Sequence, residues 1–155
     1  MQRSRPSTDA LLDDESGSAA LEFVTAGLIL LLPMVYLVLV MAALQAGALA
    51  VEGAARQAAR VFVQAETGVD AEAAAERAIE FALTDYGLES SAATVAISCR
   101  PEPSDCLARQ GFVTVDVEVS VALPFVPPAL TVDAPLTIPL AATATQQVSR
   151  FRGGD

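Results

Sequence analysis

"FVTAGLILLLPMVYLVLVMAAL", residues 23–44, contains no charged side chain. As a helix rising about 1.5 Å per residue, these 22 positions span roughly 33 Å, close to the hydrocarbon thickness of a bilayer. Pro33 lies within the run, where a membrane helix tolerates it if neighbouring groups satisfy the freed carbonyl. The stretch reads as a single membrane-spanning helix. The rest of the chain is read outward from it.

Towards the C-terminus the pattern changes without a break. In "QAGALAVEGAARQAARVFVQAE", residues 45–66, the charged residues Glu52, Arg56 and Arg60 recur every four positions along one face. Leu44, Ala48, Val51, Ala55, Ala59 and Phe62 mark another. The membrane helix is therefore expected to continue into water as an amphipathic stem, until "TGVD" stops it near Gly68. A second helix follows, with Asp70 as its N-cap. Ala71, Ala75, Ala78, Ile79, Ala82 and Tyr86 lie on one of its faces, and Gly87 ends it.

From residue 93 the period becomes two. Val95 and Ile97 alternate with small or polar residues. Val113, Val115, Val117, Val119, Val121 and Leu123 share one strand face, opposite Thr114, Asp116, Glu118 and Ser120. "PFVPP", residues 124–128, turns the chain. Leu136, Ile138 and Leu140 suggest a third strand, which "ATATQQVS" either extends or follows as a fourth. Alternation of this kind fits an antiparallel sheet with one buried face, packed on the two helices. The fold class is α+β.

Composition narrows the function. The chain of 155 residues has 19 acids against nine bases, a net charge of -10 that disfavours phosphate backbones as partners and so nucleic acid. It has no His, the commonest general base and metal ligand. No Gly-rich phosphate loop, metal spacing or Ser/His or Cys/His pairing is visible, so no catalytic, cofactor-binding or metal-ligating residue is assigned. Glu72, Glu76 and Glu80 recur every four residues as a solvated helix face. Cys99 and Cys106 bracket "RPEPSD" between two strands. The spacing allows a disulfide at the tip of a hairpin in an oxidising compartment, with two unpaired thiols as the alternative.

Upstream of the apolar run stands "ESGSAALEF", residues 15–23, preceded by a polar leader, residues 1–17. Gly17, the four residues "SAAL", Glu22, aromatic Phe23 and then a long apolar helix form the pattern that prepilin peptidases recognise in type IV pilins. The whole layout, a short leader, a helix, an amphipathic stem, a second helix and a small Cys-containing sheet, resembles TadE-like minor pseudopilins of the tight-adherence, or Flp-type, pilus system. The likeness is sharpest over residues 16–60 and loose across the sheet.

That resemblance implies a leader peptide over 1–17, a membrane helix over 18–44 and an extracytoplasmic domain over 45–155. It implies cleavage between Gly17 and Ser18 by a prepilin peptidase, with Glu22 as the carboxylate that pairs with the new amine of a neighbouring subunit. It also implies partnership with other pilins and with the pilus assembly platform, without catalysis or a cofactor. The protein would cross the cell membrane once, contacting lipid through residues 23–44, with its N-terminus cytoplasmic and its C-terminal domain outside or in a surface pilus.

Two features depart from the pattern. The leader carries Arg3 and Arg5 against four acids, and these arginines merely balance Arg56 and Arg60 beyond the helix, so charge does not fix orientation. "ALA", residues 48–50, mimics a signal-peptidase site. The alternative reading is thus a secreted or membrane-tethered binding module whose apolar segment is an ordinary signal or anchor. Without a neighbouring subunit, Glu22 would be a residue at headgroup depth that favours the helix start.

Overall fold

The computed structural model describes residues 16–125 and 136–153. It contains helix α1 (Ser16–Gln64), helix α2 (Gly68–Thr84), a 3₁₀ turn (Ser90–Ala92) and strands β1 (Thr94–Arg100), β2 (Phe112–Ala122) and β3 (Thr137–Gln147). The chain divides into two compact units, one through Leu39 and one from Val40.

The described part of the first unit is helical throughout. Its large apolar side chains lie open, Phe23 at 79% exposure, Leu30 at 74% and Ile29 at 69%. In water that surface would be strongly unfavourable, at about 25 cal/mol per Å² of apolar area. Among the described residues α1 is the one helix long and apolar enough to cross a membrane, and none of its most apolar window is buried. The core helix of a soluble protein hides such a stretch; this one does not.

The second unit is a two-layer α+β fold. Its sheet is an antiparallel meander in the order β1-β2-β3. Strict alternation in β2 buries Val113, Val115, Val117, Val119 and Val121. The opposite face is hydroxylic and charged, with the Thr114 and Thr145 hydroxyls 2.9 Å apart and Thr143 Oγ1 donating to Asp116 at 2.5 Å. The segment "ATATQQ" continues β3, so the described residues form three strands and not four. Of the "PFVPP" turn, only Pro124 and Phe125 lie within the described residues.

The stem part of α1 buries Ala50, Val51, Ala54, Ala55, Ala58, Ala59 and Phe62 against the valine face. The expected face was right at Val51, Ala55, Ala59 and Phe62, half-buried at Leu44, and wrong at Ala48, which is exposed. Alanine surrounds this helix, so hydropathy gives little contrast between its sides. Gly47 is buried where α1 lies close against the sheet. A Cβ there would lie 2.8 Å from Leu140 Cδ1 and from Val121 Cγ2.

α2 is capped one turn earlier than its sequence suggests. Thr67, not Asp70, is the N-cap. Its Oγ1 accepts from Asp70 N at 3.2 Å and donates to the Asp70 carboxylate at 2.7 Å. Asp70 instead serves as the acid of the first turn, where the helix dipole favours it. The C-terminal end follows expectation. Gly87 has φ +70°, Leu88 N donates to Leu83 O at 3.0 Å and Gly87 N to Thr84 O at 2.9 Å, the paired bonds of a glycine-terminated helix. Ala71, Ala75, Ile79 and Leu83 are buried, while Tyr86 is exposed.

Candidate functional site

The peptide bond between Gly17 and Ser18 lies in the first turn of α1. Ser18 and Glu22 are four residues apart on that helix, so they stand on the same face one turn from each other. Glu22 is exposed and has no hydrogen-bond or ion-pair partner among the described residues. Phe23 follows at once, and the open apolar surface runs on from it. The motif thus stands at the head of the apolar helix.

The second predicted pair does come together. Cys99 and Cys106 are joined as a disulfide with a Cα–Cα separation of 5.1 Å, within the range such bridges need. Cys99 is buried near the end of β1, opposite Val113, and Cys106 is half-buried in the connection to β2. The bridge therefore ties the end of β1 to the middle of the β1–β2 connection, at the loop end of the hairpin. The rest of that connection is folded by backbone bonds: Ala108 N donates to Asp105 O at 3.2 Å, and Gly111 N to Ala108 O at 3.0 Å. Gly111 is required there by close approach, because a Cβ would lie 2.9 Å from the Ala108 carbonyl oxygen.

Around these features no charged or polar side chain is buried among the described residues. No group of three or more His, Cys, Asp or Glu is placed to hold a metal ion among them. Glu52 and Arg56 form an ion pair one turn apart on the stem, both exposed, a contact of small energetic value.

One residue escaped the reading of the sequence. Arg152 reaches back to the end of α1, where its guanidinium donates to the carbonyl oxygens of Val63, Ala65 and Glu66. Val63 O is one of the last carbonyls of α1, which the helix end leaves without an amide partner, and Ala65 and Glu66 follow in the connection to α2. The signal that could have found it is weak, one of two arginines, Arg150 and Arg152, close to the C-terminus.

No family model matches this chain, and no curated protein or solved structure matches it.

Proposed function

We propose that this protein is a minor pseudopilin of the TadE-like kind, a non-catalytic subunit that primes or anchors a tight-adherence pilus or a related secretion filament. One observation carries the reading: Gly17, "SAAL", Glu22 and Phe23 stand at the head of an apolar helix whose large side chains are exposed. Removal of the leader by a prepilin peptidase would expose a positive amine on Ser18, one turn from Glu22. Inside an apolar bundle of pilins, the Glu22 carboxylate of one subunit then answers the amine of the next. Burial strengthens such a pair and penalises its absence.

Residues 23–44 hold the protein in lipid, with the leader cytoplasmic and the α+β domain outside. A disulfide between Cys99 and Cys106 agrees with an oxidising compartment on that side. The secreted-module reading would use "ALA" at 48–50. Cutting there would remove Gly47 and Ala50, both buried in the second unit, so the fold favours keeping them.

N-terminal sequencing of the protein recovered from membranes tests the proposal. It should begin at Ser18. A chain beginning at Met1 refutes processing, and one beginning at Val51 supports a secreted domain.

A further inference from the structure

β3 is one border of the sheet, and little guards it. Its 11 residues carry no charge, and Pro139 is the one residue in it of a type that blunts strand borders. Leu136 O accepts from Leu123 N, and Val148 N donates to Gly111 O, so the even-numbered positions between them direct their backbone groups at β2. Ala141, Thr143, Thr145 and Gln147 therefore turn N–H and C=O outward, with no backbone partner among the described residues.

By typical dimensions a layer of two helices is wider than a sheet of three strands. α1 and α2 pack on the same valine face, α1 beside β3 and α2 beside β1. Two helices about 10 Å across cover about 20 Å, whereas three strands about 4.8 Å apart fill about 14 Å. The difference is about one strand, and an open groove runs between α1 and β3. Gly53, Gln57 and Arg60 line one wall of that groove, and Thr143 and Thr145 the other. Gly53 keeps it clear, since a Cβ there would meet nothing within 4 Å.

Charge decides what fits. Arg56 is engaged by Glu52, but Arg60 is exposed and has no acid partner among the described residues. The opposite border differs: β1 has seven residues, and the grooves beside it are rimmed by Glu72, Glu76 and Glu80. An acidic strand is repelled at β1 and attracted at β3.

We propose that the β3 border binds an extended acidic segment of a partner protein as a fourth strand, held by backbone hydrogen bonds and by Arg60. This does not depend on the pilin reading. The test uses the full chain in lipid nanodiscs and a synthetic peptide of about ten residues, alternating Val and Thr with glutamates on one side. Binding should slow amide exchange at Thr143, Thr145 and Gln147 by at least about tenfold. Arg60→Glu should weaken binding by about fivefold or more. The same peptide N-methylated along its pairing edge should fail to bind. The proposal is overturned by protection of Val95 and Ile97 instead, by equal binding of the N-methylated or a lysine-for-glutamate peptide, or by no binding at all. Concentration-dependent protection of the β3 amides without peptide would also overturn it, because the border would then belong to a second copy of this chain.

Discussion

Arg152 Nη2 donates to the carbonyl oxygen of Glu66 at 2.8 Å, across 86 positions of sequence. With its bonds to Ala65 and Val63, this guanidinium closes the end of α1 and ties the C-terminal segment to it. A positive charge at a helix C-terminus also complements the helix dipole. Arg152→Ala should destabilise the second unit by about 1 to 2 kcal/mol, and Arg152→Lys by less. Denaturant unfolding of the full chain in micelles, followed by tyrosine fluorescence, reads this. Unchanged midpoints would mean the contacts contribute nothing.

The disulfide invites a second measurement. A closed loop as short as Cys99 to Cys106 restricts the unfolded chain by about 2 to 3 kcal/mol in the loop-entropy model. A Cys99→Ser, Cys106→Ser variant should lose that much stability while keeping the three strands, because β1 and β2 remain paired over seven positions. Mass mapping of protein from its native envelope should find the two cysteines linked under non-reducing conditions. Free thiols there would argue against an extracytoplasmic location for the domain.

Gly47 and Gly53 make a matched pair on one helix. Gly47→Ala forces a methyl group to 2.8 Å from Leu140 and Val121, overpacking that should cost about 1 to 3 kcal/mol. Gly53→Ala meets nothing and replaces a poor helix former, so it should stabilise by about 0.5 to 1 kcal/mol. Equal effects of the two in thermal unfolding would mean that α1 does not approach the sheet at Gly47.

Glu22→Ala examines the proposed assembly role. Membrane insertion should survive, since a charge is removed from the start of an apolar segment. Processing after Gly17 should survive too. Recovery with sheared pili should fall on the order of a hundredfold or more, from roughly 3 to 5 kcal/mol for a buried charge left without its partner. Glu22→Asp should lie between. Processed Glu22→Ala that assembles like wild type would reduce the carboxylate to a boundary residue.

The elements that could be read from residues alone are those where one force dominates. Twenty-two consecutive uncharged positions, residues 23–44, give a helix long and apolar enough to cross a membrane. The alternating valines of β2 fix which face is buried, because a shift of one residue would invert every side chain. Gly87 supplies the positive φ that a helix terminus of this kind needs. Where two residues could do one job the sequence is ambiguous. Thr67 and Asp70 are both good caps, and only the backbone shows that they share the work. Ala48 and Ala54 are identical in hydropathy, and which one faces the sheet depends on the direction from which the strands approach. Arg152 was illegible because its partners are backbone carbonyls, which every residue possesses.

The interior of the second unit is built from the smallest side chains that are still apolar. Among the described residues, eight of the 19 buried apolar positions are alanines and seven are valines. Alanine has no rotamers to lose on folding, and valine in a strand has few. Such a core buries less area per residue than one of leucine and phenylalanine, yet it also surrenders less side-chain freedom. With so few torsions inside, it has almost no means of repacking around an intruding group. Enlarging any one of these alanines would push the layers apart as rigid bodies, so the spacing between α1 and the sheet is set by methyl groups.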